Sequence, residues 1–260
     1  MTVRLLQLAS PMLPIGAFSY SSGLESAIEA GSVFDAESGA NWVGDVMEWG
    51  LARQDAALVA AAFLTWDVWQ QAARGGCKAA EIGALESLKN LNDLAFAARE
   101  TAELRLECTQ TGHSLAVWIE RTLDPAAIVL DALAALAPLS YPVAWAVAGS
   151  HLALSARDTV IGLLWGFVEN QASALMKALP MGQTAAQRML LALGPRVEAA
   201  ADLAMRRASC HGAATNPHPS GVAVRCAAEG AGTGGIAGAM PGLAIASMLH
   251  ETQYSRLFRS

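Results

Sequence analysis

Charge is what this chain has least of. Asp, Glu, Lys and Arg together make up 15% of its 260 residues, against about 25% in an ordinary globular protein. Hydrophobic residues reach 53%, so either most of the chain is buried or part of its surface is covered by other proteins. Lys and Arg number 17 against 23 Asp and Glu, a net charge of −6. That balance argues against a general binder of phosphate backbones, which needs a basic footprint. Paired cysteines are missing as well: Cys77, Cys108, Cys210 and Cys226 form no C-x-x-C. A chain of this length needs no disulfide framework, so reduced thiols and a cytoplasmic setting are expected.

Several signatures of chemistry are also absent. There is no H-E-x-x-H, no G-x-S-x-G elbow, and no loop with the glycines and lysine that cradle phosphates. The serines and cysteines have no recognisable base partner in the sequence. Cys210, His211, His218 and Cys226 gather soft ligand types in one region and could suit zinc or nickel. Their spacing matches no closed metal motif, so no metal site and no cofactor are assigned. The longest run without charge covers residues 132–156 and is long enough to span a bilayer. Pro138, Ser140, Tyr141 and Pro142 break it near its start, and the remainder has the length of a buried core helix. Pro11 and Pro14 likewise interrupt the apolar run after Arg4, so no secretory signal is read there.

Strand formers are scarce and helix formers abundant. Helices are expected at 40–51, 55–73, 81–91, 93–109, 115–123, 126–137, 142–154, 155–177, 184–193, 196–207 and 243–250. The predicted fold is all-α: a single-domain bundle of about ten helices over residues 1–260. It has an extended lead-in at 1–20, a Gly/Pro-rich flexible loop at 209–242, and a C-terminal helix and tail at 243–260. In the opening segment Ser22 is positioned to cap a short helix, with Glu25 three residues on completing a capping box and Gly31 as its stop.

Three further stretches carry information. In RETAELRLE, residues 99–107, Glu103 and Glu107 share a face and Arg99 stands one turn before Glu103; a solvated helix face explains the pattern, with a docking face as the alternative. In LMKALPMGQTAAQR, residues 175–188, Pro180 and Gly182 turn the chain and Thr184 can cap the next helix. There Gln183, Gln187, Arg188 and Lys177 set polar groups beside an apolar framework, so they either close an internal network or meet another chain. The ending HETQYSRLFRS alternates Tyr254, Leu257 and Phe258 with Arg256 and Arg259, the types enriched at interface centres. His250–Glu251 at that helix end is read as a surface or interface contact.

LLQLASPMLPIGAFSYSSGLESAIEAG (5–31), YPVAWAVAG (141–149), GFVENQASALMKALPMGQTAAQR (166–188) and LAIASMLHETQYSRLFRS (243–260) together resemble the urease accessory protein UreF family. The resemblance implies an all-α, cytoplasmic, non-enzymatic assembly chaperone. It implies a complex with the UreD (or UreH) accessory protein and the GTPase UreG on urease apoprotein, supporting GTP-dependent nickel insertion, with a homodimer inside the complex. It carries partner-interface or structural roles onto Pro14, Gly16, Phe18, Ser19, Gly23 and Glu25, and onto Lys177, Pro180, Gly182, Gln183, Thr184, Gln187 and Arg188. At the end of the chain it does so for His250, Glu251, Tyr254, Ser255, Arg256, Leu257 and Phe258. Two departures stand out: His113, where the family commonly has arginine, and the loose Gly/Ala-rich run at 227–239. The alternatives are a helical hydrolase or metal-binding enzyme, which would need a convergent pocket of perturbed groups, and an integral membrane protein.

Overall fold

Apolar residues recur at helical spacing along nearly the whole chain, and the computed structural model converts that pattern into helices only. It describes residues 3–215, 236 and 238–259. Among these lie eleven α-helices: α1 (Val3–Leu8), α2 (Leu24–Glu29), α3 (Ala36–Asp45), α4 (Asp55–Gly75), α5 (Lys78–Ala97), α6 (Ala102–Leu123), α7 (Ala127–Ala135), α8 (Tyr141–His151), α9 (Ala156–Ala178), α10 (Gln183–Thr215) and α11 (Pro241–Glu251). The all-α expectation holds.

The centre is built from α4 and α8. Helix α8 is buried on all sides from Pro142 to Gly149, as expected of a helix with no polar face. Helix α4 packs on α5, α8, α9 and α10, while α6 packs on α8 and α9 on α10. Close approach needs small residues. A Cβ at Gly112 would stand 2.2 Å from the Leu139 carbonyl oxygen, so glycine there lets α6 cross the start of α8. The uncharged run 132–156 is thus α7, a turn and α8, and no helix among the described residues is long and apolar enough to cross a membrane.

Several expectations require correction. The lead-in is not extended throughout: it contains α1 and a 3-10 turn, Ala17–Ser19. Ser22 does not cap α2. The N-cap is Gly23, left-handed at φ 78°, with no side-chain cap bond, and the Glu25 carboxylate is drawn elsewhere. The break expected at residue 92 falls instead at 98–101. Asn92 is buried inside α5 because its side chain is needed there: Nδ2 donates to the Leu136 and Pro138 carbonyls (3.3 and 2.9 Å) and Oδ1 accepts from the Ser140 amide (2.8 Å). Thr101 caps α6 by accepting from the Leu104 amide at 3.1 Å, and the helix runs through Gly112 without interruption.

The helices expected at 184–193 and 196–207 are one helix, with Pro195 inside it. The proline removes one backbone donor. The buried row Met189, Leu193, Val197, Ala200, Ala201, Ala204 and Ala208 keeps a single face across it, and packing on α4, α9 and α3 holds the helix continuous. Thr184 lies within its first turn and is not its cap: the Ala185 and Ala186 amides both bond the Gly182 carbonyl. The helix also reaches Thr215, so residues 209–215 of the expected loop are helical. Residues 216–235 and 237, which include His218, Cys226 and most of 227–239, lie outside the described residues. Cys210 is disulfide-bonded, against the expectation of reduced thiols throughout.

Candidate functional site

Helix α11 packs on α2 and α6. It turns Ala246, Ser247 and His250 inward and leaves Ile245, Met248 and Leu249 exposed. The inward side chains join a polar junction. The Ser247 and Thr101 hydroxyls lie 2.8 Å apart. His250, with no exposed surface, sits between two carboxylates: Nδ1 is 2.9 Å from Glu103 Oε2 and Nε2 is 3.2 Å from Glu25 Oε2. The reading of His250 as a surface or interface contact is therefore overturned: the side chain is buried within its own fold.

The tail after α11 folds back onto the same carboxylates. Glu25 accepts from the Leu257 amide at 2.6 Å and the Phe258 amide at 3.0 Å. Glu103 accepts from Arg256 Nη1 at 2.8 Å, and Arg256 Nη2 donates to the Glu251 carbonyl at 2.7 Å. The Glu251 carboxylate in turn accepts from the Glu103 amide at 3.2 Å, where the first turn of α6 favours negative charge. The Arg259 amide donates to the Ser19 carbonyl at 2.6 Å. Gly23 makes the packing possible, since a Cβ there would lie 3.1 Å from Leu243 Cδ1 and 3.2 Å from Ala246 Cβ.

The three apolar tail residues divide. Phe258 is buried, with Lys177 Nζ 5.5 Å from its ring centroid. Tyr254 is wholly exposed and Leu257 is 67% exposed. Phe258 thus fixes the tail to its own fold, while Leu257 and Tyr254 extend the apolar face begun by Ile245, Met248 and Leu249. The N-terminal positions surround this junction unevenly: Glu25 and Gly23 are buried in it, Ser19 is half-buried beside Arg259, and Pro14, Gly16 and Phe18 are exposed. Glu251 is half-buried, and Ser255 and Arg256 are exposed. Lys177, Pro180, Gly182, Gln183, Thr184, Gln187 and Arg188 are all exposed. Gln183, Gln187 and Arg188 therefore close no buried network, while Lys177 packs on the Phe258 ring of its own chain. His113 is exposed on α6.

Sequence reasoning placed Glu103 on a solvated or docking face and missed its partners, His250 and Arg256. Its face is not solvated, and Arg99 does not pair with it: both terminal nitrogens of Arg99 bond Asp55, one of them at 3.1 Å. That pair borders a cavity of about 150 Å³ also lined by Glu107, Cys108, Tyr141, Leu163, Phe167 and Met240. Burial pushes the Cys108 thiol up, partly offset by the Arg99 guanidinium, and burial pushes the Tyr141 hydroxyl up strongly. Burial alone would lower Arg99, but the Asp55 carboxylate outweighs it and holds the guanidinium charged. A nucleophile needs the opposite shift. Both shifts leave the thiol and the phenol protonated, and the Asp55 carboxylate is paired with Arg99. Among the described residues no group of three or more His, Cys, Asp or Glu side chains is placed to hold a metal ion.

Comparison with known proteins gives a consistent result. The UreF family model matches residues 33–194. A urease accessory protein UreF from Azoarcus sp. (strain BH72) is 39% identical over 261 aligned residues, covering 99% of this chain and 95% of the relative. The proteins of that name from Methylibium petroleiphilum and Ralstonia pickettii are each 38% identical, covering 99% and 98% of this chain and 93% and 96% of the relatives.

Proposed function

The chain belongs to the UreF family of urease accessory proteins, and we propose that it serves urease maturation as a non-enzymatic assembly chaperone in the cytoplasm. In this reading it bridges a UreD/UreH-type accessory protein and the GTPase UreG on urease apoprotein, works as a homodimer within that complex, and supports GTP-dependent nickel insertion without a resident metal of its own. One observation carries the reading: the face of Ile245, Met248, Leu249, Tyr254 and Leu257, exposed together on α11 and the tail. A folded protein keeps such a group of large apolar side chains in water mainly when another protein covers them. The exposed polar turn of Gln183, Gln187 and Arg188 supplies a second, chemically different surface, suited to the GTPase side.

Removing residues 251–260 tests the docking role. Capture of the UreD/UreH-type partner should fall sharply while helical circular dichroism is largely kept. Unchanged capture would end the proposal for the tail. Co-expression with both partners, followed by size exclusion and mass measurement with and without GTP, reads the bridging role: a complex that forms equally well without this chain would contradict it.

A further inference from the structure

The contacts around His250 raise a question of protons. Both ring nitrogens face carboxylate oxygens, and an ionised carboxylate only accepts. A neutral imidazole donates from one nitrogen alone, so one of the two contacts at 2.9 and 3.2 Å would then set a lone pair against a carboxylate. Charge points the same way. The junction gathers Glu25 from α2, Glu103 from α6 and Arg256 from the tail. Their sum is −1 with a neutral ring and zero with an imidazolium. Glu251 on α11 is separately occupied by the Glu103 amide; Lys177 on α9 approaches only through the Phe258 ring; and the neighbouring polar groups Ser247, Thr101, Ser26 and Gln253 bring no charge. His250 is fully buried and both carboxylates nearly so, with Arg256 at the solvent edge, and such a site tolerates a balanced cluster better than an unbalanced one.

We propose that Glu25, His250 and Glu103 form a proton-carrying latch that holds the C-terminal tail in its docking conformation. The coupling is direct. Glu25 Oε2 contacts both His250 Nε2 and the Phe258 amide, and its Oε1 takes the Leu257 amide. Glu103 Oε2 takes His250 while Oε1 takes Arg256. Loss of the extra proton turns two attractions into one and sets free the carboxylate that fixes the tail backbone. The latched tail binds one proton more than a released tail whose histidine is neutral. Linkage then fixes the sign: rising pH favours release, by up to about tenfold per pH unit while the latched form keeps its proton. Exposed Leu257 and Tyr254 move with the tail, so the geometry of the docking face follows the latch. The inference rests on the tail being the docking segment, but its test does not use the partner.

Two measurements on the full chain test it. In 15N-histidine spectra at pH 7, both ring nitrogens of His250 should carry protons; a neutral ring, with one unprotonated nitrogen and the tail in place, overturns the proposal. In amide hydrogen exchange, the protection factors of Leu257 and Phe258 should fall between pH 6.5 and 8.5 relative to amides of α8. In the His250→Gln variant their protection should be low and independent of pH. Protection flat with pH in the unmodified chain refutes the latch, and it does so whether or not the tail captures a partner. Failure of the docking reading shows up separately, as capture unchanged by removal of residues 251–260.

Discussion

The seat of α11 on Gly23 gives a prediction that separates backbone strain from packing. Replacing Gly23 by alanine does two things. It places a side chain at φ 78°, which costs roughly 1–2 kcal/mol for a left-handed residue. It also sets a Cβ 3.1 Å from Leu243 and 3.2 Å from Ala246. Leu243 offers the end of a flexible side chain and can swing away, whereas Ala246 Cβ is fixed to α11. Overpacking of this kind costs roughly 1–3 kcal/mol. Gly31 provides the control, with φ 70° and nothing within 4 Å of an added Cβ, so Gly31→Ala carries the strain alone. Thermal unfolding followed by circular dichroism should show Gly23→Ala below Gly31→Ala by roughly 6 °C, taking about 2 kcal/mol and 2–4 °C per kcal/mol for a chain of this size. If α11 lifts away instead, the gap in melting temperature narrows, and limited proteolysis should cut within α11 and the tail, residues 241–259, in Gly23→Ala only. Equal melting temperatures with equal proteolysis would refute the packing argument.

Other outcomes follow from the interior. Asn92→Ala strands two carbonyls and one amide at the α7–α8 turn; with each buried unmade bond worth roughly 1–3 kcal/mol, urea unfolding should show a loss of about 3 kcal/mol or more. Cys77 is exposed and Cys108 buried, with the Cys108 thiol pushed up by burial. Iodoacetamide at pH 8 should therefore label Cys77 in the folded chain and reach Cys108 only after unfolding; comparable rates would contradict the packing around α6. Burial holds the Tyr141 hydroxyl well above its ordinary range, so the unfolded chain gives up that proton first. Stability should be complete below about pH 10 and fall as the pH rises beyond it, and Tyr141→Phe should flatten the fall. An unchanged alkaline profile would show that Tyr141 does not contribute.

Much of the fold was legible in the sequence because helix periodicity and glycine or proline stops are local. Gly76 ends α4 in a left-handed cap, and Pro180 follows α9, as their positions suggest. The misreadings share a cause. Asn92 looked like an interruption and is held in α5 by carbonyls more than 40 residues away. Pro195 looked like a boundary, yet long-range packing outweighs its missing donor. Thr101 carried a readable cap signal ahead of α6 that the charge pattern of RETAELRLE concealed. In the site, the tail residues announced themselves by type, but which would be buried did not follow from type: Phe258 is inside while Leu257 is outside. Glu103 was recognisable only as a charge one turn from Arg99. Its real partners, His250 and Arg256, lie 147 and 153 residues away, and no local pattern can encode that distance.

The exposed face of α11 and the tail is the part on which the functional reading depends, and Leu257 and Tyr254 can be trimmed there without touching the junction beneath. Leu257→Ala removes three carbons worth about 0.8 kcal/mol each when buried; with two-thirds of the side chain available to a partner, that is about 1.6 kcal/mol, or roughly fifteenfold in affinity. The decisive measurement is the dissociation constant of the UreD/UreH-type protein for the full chain and for the Tyr254→Ala/Leu257→Ala variant, by titration calorimetry with helical content checked in parallel. The account predicts at least fifteenfold weaker binding by a chain that remains folded. Equal affinity of the two proteins would contradict it.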